Sequence, residues 1–249
     1  MDHLQPLAPP CPFLLPPAFV ILMYGLRYGV MASIGFLMAR GGWGRPHANA
    51  PAAFDTKPHV RRELAYSGVT VLVFGLVNVM LFGFGLIHQS LMYCRAATYP
   101  MWWFWASIPV MLILHDTFFY WFHRAMHLKA LFATMHQVHH QSVCPTAYAA
   151  YSFHPTEAMA EALIVTTIVV IIPVNPLAFI IFQTISTAYN VYGHCGREFY
   201  PPGTASHWLG RWLNTSTAHA VHHGKGRYNY GLCFMFWDRW LKSADPAYR

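Results

Sequence analysis

Long apolar stretches separated by polar segments dominate the first half of the chain. Residues 13–39 and 65–93 are almost continuously apolar, and each is long enough to cross a hydrocarbon layer of about 30 Å. A third stretch, 101–122, opens with Trp102, Trp103 and Trp105, as is typical where a span meets the lipid headgroups. The residues before the first stretch lack the basic start of a secretory signal. The pattern therefore predicts three membrane-spanning helices, the first of them retained.

A fourth apolar stretch, 158–192, is interrupted by Pro173 and Pro176. Each half is short for a full span, so the stretch fits either a tight hairpin of two helices or a re-entrant pair. Residues 193–249 are mixed, aromatic and basic, which predicts a membrane-associated cap. We predict an all-α, integral-membrane helical bundle of three long spans and a proline-broken helical hairpin, with a cytosolic histidine-rich cap. Residues 1–100 would form an N-terminal membrane region with two spans, and 101–249 a second, histidine-containing region.

Composition and charge support a membrane location and orient the chain. Hydrophobic residues make up 55% of the chain and charged residues only 10%, which is too apolar for an ordinary soluble domain. The net charge of +7 comes from basic residues scattered between apolar runs, so we expect a membrane surface as partner and no nucleic acid. Lys and Arg number five in loop 40–64 and seven after residue 192, but one in loop 94–100. The positive-inside rule then places the histidine-rich parts in the cytosol, at a bacterial inner membrane or the endoplasmic reticulum.

Histidine is the residue type that points to chemistry. Three motifs contain it at helical spacing: HRAMH at 123–127, HQVHH at 136–140 and HAVHH at 219–223. Histidines three or four residues apart share one side of a helix, so each motif is expected to direct its imidazoles to a common point. Neutral imidazole binds iron, zinc, copper and nickel. His194, just after the last apolar stretch, is a candidate ninth ligand.

The number and type of these residues predict two metal ions rather than one. The motifs hold eight histidines, whereas one metal takes about four to six ligands. The five cysteines lie far apart without a CxxC motif, which predicts neither a zinc ribbon nor a disulfide framework. The scarcity of carboxylates argues against calcium or magnesium.

Helical geometry separates two neighbours of the first motif. His115 precedes His123 by eight residues, roughly 80° around a helix and about 12 Å along it, so we expect it not to be a ligand. Asp116 lies within about 20° of the side that carries His123 and His127. It is therefore a candidate to orient an imidazole or to face the substrate.

A second acidic candidate, Glu157, lies in the sequence SFHPTEA. Pro155 fits the first turn of a helix, where a carboxylate such as that of Glu157 is favourable. Simple helix initiation and an orienting role beside a metal ligand, for Glu157 or His154, are equally supported.

Six motifs together resemble a known family. HDTFFYWFHRAMH, HQVHH, AAYSFHPTEA, YGHCGREFYP, HAVHHGKGRYNYG and FWDRW follow in this order over about residues 100–242. They resemble the fatty acid hydroxylase superfamily, and the most similar branch is the bacterial sterol desaturase family. Residues 101–249 would then be the catalytic region of a membrane-bound non-haem di-iron oxygenase. The resemblance assigns its metal ligands to His123, His127, His136, His139, His140, His194, His219, His222 and His223. Many relatives have a further histidine where this chain has Ala218.

The resemblance also implies a reaction and its partners. The enzyme would be an oxidoreductase that hydroxylates or desaturates a lipid, such as a sterol or fatty acyl chain, with two iron ions and O₂. Electrons would come from an external NAD(P)H-linked donor through a cytochrome b5-like or ferredoxin-like protein. The basic residues Arg211, Lys225, Arg227 and Arg239 could dock that donor or, in a slightly favoured interpretation, anionic headgroups.

A different class of function remains open on the sequence. The chain could be a histidine-rich membrane protein that binds or transports metal without oxygenase activity. A transporter would place ionisable residues along its spans, whereas the predicted topology gathers the histidine motifs at one membrane face. This distribution favours the enzyme.

Overall fold

The computed structural model describes residues 17–47, 57–83 and 90–246. Nearly all regular structure in these ranges is helical, as the sequence predicts. The α-helices are Pro17–Arg40 (α1), Lys57–Gly83 (α2), Met101–Met126 (α3), Lys129–Met135 (α4), Gln137–His140 (α5), Pro155–Ile171 (α6), Pro176–His194 (α7), Ser216–Lys225 (α8) and Phe236–Trp240 (α9). Two short strands, Arg45–Pro46 (β1) and Arg197–Glu198 (β2), pair antiparallel.

Helix α2 starts earlier than its apolar stretch. It begins at Lys57, although residues 40–64 are predicted to be a loop. Its first turns are polar and contact the segment that follows the second histidine motif. Arg62 donates to Ser142 Oγ (3.0 Å), and the buried Glu63 accepts a hydrogen bond from the Thr146 N–H (3.3 Å). A hydropathy pattern detects only the apolar part of a helix, so it does not predict that these polar turns are helical. The predicted helical end at 93 is also wrong, because residues 90–93 are not helical; residues 84–89 lie outside the described ranges.

Helix α3 continues four residues past the end of its apolar stretch at 122. It runs unbroken to Met126 and carries His123 on its last turn. At 26 residues it is about 39 Å long. The start of the first histidine motif is thus part of a long, mainly apolar helix.

The proline-interrupted stretch forms two helices joined by a short turn, and both helices pack on α3 more closely than on each other. α6 ends at Ile171, and α7 starts at Pro176 behind Asn175, whose side chain accepts the Leu177 N–H (2.9 Å) as a helix cap. Proline fits the first position of a helix because the N–H that it lacks would be unpaired there.

The five long helices form a ring. α1 packs on α2 and α7, α2 packs on α6, and α3 packs on both α6 and α7. The short 3₁₀ helix Ala147–Tyr151 packs on α1, α2 and α7, where Tyr151 stacks on Tyr28 with ring centroids 4.5 Å apart.

Two of these helices are long and apolar enough to cross a membrane: Ala18–Arg40 in α1 and His59–Met80 in α2. Their outer surfaces expose apolar side chains such as Leu26, Val30, Leu72 and Leu76. Among the described residues, α3 is not one of these two helices, so the third predicted span and the cytosolic cap stay predictions.

All five long helices have one end at the histidines. α3 carries His123 in its last turn, α7 ends at His194, and α6 starts there with Glu157 beside His136. α1 leads to β1, which pairs with β2 directly after α7. α2 starts there, as described above.

The opposite end of the ring is made by the α6–α7 turn and the segment before α3. Leu91 donates its N–H to Val169 O (2.9 Å), and Tyr93 donates to Val174 O (3.0 Å). Cys94, next in this segment, is disulfide-bonded. The scattered cysteine spacing in the sequence did not predict this bond.

Candidate metal centre

Nine histidines, all buried except the half-buried His127 and His140, form two groups at the shared end of the helices. The first group is His123, His127, His136, His140 and His222; the second is His139, His194, His219 and His223. Within each group, one nitrogen of every ring lies within 4.8 Å of the others. These are the nine residues that the sequence and the family resemblance predict as metal ligands.

Each HxxHH motif divides its histidines between the two groups. On α5, His140 and the preceding His136 belong to the first group and His139 to the second. On α8 the assignment is reversed: His219 and His223 belong to the second group and His222 to the first. Residues four apart lie about 40° apart around a helix, whereas i+3 and i+4 diverge by about 100°. The expectation that all three rings of a motif converge is therefore wrong, and two short helices serve both groups.

The first group presents bare imidazole nitrogens to one another. His123 Nδ1 donates to Tyr230 O and His222 Nδ1 to Tyr228 O, both at 2.7 Å. With the proton on Nδ1, Nε2 keeps its lone pair. His222 Nε2 lies 3.2 Å from His127 Nε2 and 3.1 Å from His140 Nε2.

The second group is centred on His194. Its Nδ1 donates to Asn190 O in the preceding turn of α7 (2.7 Å), which leaves Nε2 free. Nε2 lies 3.1 Å from the Nε2 of His139, 3.0 Å from that of His219 and 3.1 Å from that of His223. His194 is therefore an integral member of the centre.

Burial keeps these imidazoles neutral. It lowers the pKa of His140 to about 4, and it lowers the pKa of His139, His222 and His223 well below the usual 6.5, with neighbouring imidazoles adding to the shift in these three. Neutral imidazole is the form that binds metals.

The geometry and chemistry of both groups fit nitrogen-ligated metal ions. Two nitrogens bound at right angles to one metal, with bonds of about 2.1 Å, lie about 3.0 Å apart. The contacts between Nε2 atoms span 2.9–3.2 Å. Facing lone pairs at this distance repel each other unless a cation or proton lies between them, and the low pKa values disfavour protons. Among the described residues, histidine is the only residue type in either group.

Glu157 contacts the centre directly. Its Oε1 accepts from His136 Nδ1 (2.7 Å), and both side chains are buried. The helix-capping contact comes from His154 instead, whose Nδ1 accepts the Thr156 N–H (3.4 Å). A carboxylate on Nδ1 fixes a ring's orientation and makes its other nitrogen more basic. The sequence left open whether Glu157 or His154 starts the helix or orients an imidazole. In the structure His154 caps the helix and Glu157 contacts the imidazole.

Asp116 and His115 lie apart from both groups. Asp116 Oδ1 accepts backbone N–H groups of Leu232, Cys233 and Phe234 (3.0, 2.6 and 3.2 Å). These contacts anchor a loop, so Asp116 does not orient an imidazole directly. His115 packs on Phe182, with ring centroids 5.6 Å apart, and belongs to neither group, as helical geometry predicts.

The loop after α8 supports the first group, and reasoning from residue types missed it. Asp238 Oδ1 accepts the Tyr230 N–H (2.9 Å) and Oδ2 accepts the Gly231 N–H (2.8 Å), which fixes the carbonyl that binds His123. Only the family motifs GRYNYG and FWDRW marked these positions. Backbone carbonyls carry no side-chain signal, so their role appears only in the folded chain.

Comparison with known proteins identifies relatives of the histidine-containing region. A family model described as "Fatty acid hydroxylase" matches residues 108–243, which is more than half of the chain and contains all nine histidines. No solved structure gives a significant match.

Curated relatives are sterol-modifying enzymes by name. "Probable Delta(7)-sterol 5(6)-desaturase" of Neurospora crassa is 28% identical over 151 residues, 60% of this chain and 42% of that protein. "Lathosterol oxidase" of Homo sapiens is 28% identical over 188 residues, 74% of this chain and 60% of that protein. "Delta(7)-sterol 5(6)-desaturase" of Leptosphaeria maculans is 24% identical over 184 residues, 74% of this chain and 49% of that protein. The matched part of the chain thus spans about half the length of these relatives.

Proposed function

Since this chain belongs to the fatty acid hydroxylase family, we propose that it is a membrane-bound non-haem di-iron oxygenase that hydroxylates or desaturates a lipid. The observation that carries the proposal is the pair of groups of five and four histidines, seven of the nine buried, with their nitrogens converging at contact distances. Two groups provide for two metals, in agreement with the number of ligands in the sequence.

Iron is the metal that suits this chemistry. Bound iron would supply the reaction with O₂ that breaks an unactivated C–H bond, which zinc cannot supply because it has no redox chemistry. Hydroxylation balances as one lipid C–H bond, O₂, two electrons and two protons giving an alcohol and water. Desaturation takes two hydrogens from the lipid and, with the same electrons and protons, gives an alkene and two waters.

The protein's own residues would hold and orient the metals. The nine histidines supply the nitrogens, Glu157 fixes the ring of His136, and the Tyr230 carbonyl fixes that of His123. The apolar ring of helices below the centre would exclude water and admit a lipid from the bilayer.

We further propose that α3, α6 and α7 lie in the bilayer beside α1 and α2, with the histidine end in the cytosol as a cap. The lysine and arginine distribution supports this orientation.

The relatives' names favour a sterol or another ring lipid over a fatty acyl chain. Two electrons per turnover must come from a reduced protein, and a cytochrome b5-like or ferredoxin-like donor fits a cytosolic centre.

Oxidation of extracted host lipids under ¹⁸O₂ tests the proposal. The anaerobically purified, iron-loaded protein is supplied with lipid extract and a chemical reductant, and products are identified by mass spectrometry. We expect a lipid that gains one ¹⁸O atom or loses two hydrogens, only with iron, O₂ and reductant together. Stoichiometric iron binding without any lipid-dependent O₂ consumption would contradict the oxygenase and favour a metal-binding function.

A further inference from the structure

The C-terminal region carries an exposed aromatic and cationic surface that the metal centre does not use. It is formed by the turn around the 3₁₀ helix Gly210–Trp212, by α9 and the residue after it, and by the adjoining side of α3. We call it the tryptophan face. Its members are Trp121, Trp208, Leu209, Arg211, Trp212, Arg239, Trp240 and Leu241.

The apolar members of the tryptophan face project from the protein. Trp208 is 70% exposed, Trp240 62% and Leu209 55%. Large apolar side chains lose about 25 cal/mol of favourable transfer free energy for each Å² left in water. A cluster of them indicates a surface that another phase or partner covers.

The tryptophan face continues the outer surface of α3. Trp237 donates its Nε1–H to Thr117 Oγ1 (3.1 Å) and packs on Trp121, with ring centroids 5.5 Å apart. Trp240 packs on Trp237, also at 5.5 Å. Thr117 and Trp121 precede His123 by up to two helical turns. α9 therefore packs on α3 within two helical turns before His123, on the side of the histidine groups that faces the start of α3.

Cations lie among the rings. The exposed Arg211 guanidinium is 5.4 Å from the ring centroid of Trp212, and the Arg239 guanidinium is 6.0 Å from it. Between residues 199 and 244 the only acidic residue is Asp238, which is fully buried. The tryptophan face is thus positively charged and has no exposed carboxylate of its own.

We propose that the tryptophan face docks the C-terminal region onto anionic phospholipid headgroups of the leaflet beside the metal centre. Tryptophan favours the boundary between hydrocarbon and water, and clustered Lys and Arg attract anionic lipids. An acidic redox protein would also meet these cations. The projecting indole and leucine side chains, and their continuity with α3, favour the bilayer. The proposal rests on the insertion of α3 that is part of the proposed function, and it adds a second contact that sets the depth of the centre.

A depth measurement on the whole protein in lipid nanodiscs tests this contact. Leu241→Cys keeps every indole in place and is labelled with an environment-sensitive fluorophore, in a background where the half-buried Cys144 is replaced by serine. Gln141→Cys, an exposed position at the end of α5, is the matched control. Quenching is measured with lipids that carry a nitroxide near the headgroup, in phosphatidylcholine discs with and without phosphatidylglycerol.

We expect the label at position 241 to be quenched about twofold or more above the label at 141, and more strongly with phosphatidylglycerol. The additional Arg211→Gln change should reduce the phosphatidylglycerol dependence. Equal quenching at the two positions in both lipids would overturn the proposal. The proposal would also be overturned if an acidic ferredoxin-like protein, but not lipid, protects the label at position 241 from an aqueous quencher. Because the quenching measurement needs neither iron nor turnover, a negative result would overturn the docking proposal and leave the oxygenase proposal untouched.

Discussion

The nine histidines differ in what holds each ring, and this decides what each substitution does. His123, His194 and His222 are oriented by backbone carbonyls and His136 by a carboxylate. A carbonyl on Nδ1 selects the tautomer whose Nε2 is free to bind metal. We therefore expect loss of an imidazole to remove a metal ligand, and loss of its hydrogen-bond partner to weaken metal binding.

The division of the HxxHH motifs predicts which metal each histidine holds. We expect His222→Ala to remove iron from the first group and His139→Ala to remove it from the second, so that each variant binds about one iron per chain instead of about two. Elemental analysis after anaerobic iron loading measures this.

His115→Ala is the control for these variants, because His115 lies on the same helix as His123 but in neither group. It should bind about as much iron as the unchanged protein. If it strips the iron as completely as His222→Ala does, the two-group assignment is wrong.

Substitution of Glu157 is expected to weaken iron binding rather than abolish it. Glu157→Gln keeps the shape but replaces the carboxylate on His136 Nδ1 with a neutral amide. We expect iron affinity to fall about 10–100-fold with the fold intact. Competition with a chelator gives the affinity, and circular dichroism gives the helical content. Unchanged affinity would show that the 2.7 Å contact does not affect the metal.

At the scale of elements, the histidine groups depend on two short helices, α5 and α8, that need the contacts of the folded chain to stay helical. α5 has four residues and α8 has ten, and isolated helices of that length are marginal in water. α8 is stabilised by a Thr215 side-chain cap at its start and by Gly226 at its end, where φ is +66°. The loop that follows α8 is fixed by Asp238 and Asp116.

Asp238 allows a test of this loop. The Asp238 carboxylate accepts hydrogen bonds from the N–H groups of Tyr230 and Gly231. In Asp238→Asn, an NH₂ group that cannot accept them replaces one of the two carboxylate oxygens. The carbonyl that orients His123 would then shift, so we expect preferential loss of iron from the first group and a melting temperature lower by several degrees.

Asp245→Asn is the matched control for Asp238→Asn. The Asp245 carboxylate accepts from the half-exposed Lys225 (2.6 Å) in the same region. This variant should retain both irons. Equal iron loss in the two variants would indicate general destabilisation of the C-terminal region instead of loss of the Tyr230 carbonyl's position.

The elements were predictable to different degrees. The apolar runs predicted α1, α3, α6 and α7 to within about four residues, because burial in lipid selects continuous apolar sequence. They missed the polar start of α2, where Arg62 and Glu63 bind partners about 80 residues away and also contact His59 on the same helix. Helical spacing and family motifs predicted which histidines gather. The carbonyl partners and the role of Asp116 were not predictable, because they depend on long-range contacts.

At the scale of the whole molecule, the ring of helices places the two histidine groups at one end of a long apolar assembly. All five long helices reach that end, so the metals would lie where a lipid can approach from the bilayer and a soluble electron donor from the cytosol. A transporter would instead need ionisable groups along the length of the ring.

A single-turnover experiment tests the central claim most directly. The protein is loaded with two ferrous ions per chain in nanodiscs of host lipids, freed of reductant and exposed once to ¹⁸O₂. Oxidation of two ferrous ions to ferric releases the two electrons that one turnover needs. We predict up to about one oxidised lipid per chain, as an ¹⁸O-containing alcohol or an alkene, and none for His139→Ala or His222→Ala. Protein that binds two irons, consumes O₂ and leaves every lipid unchanged would contradict the account.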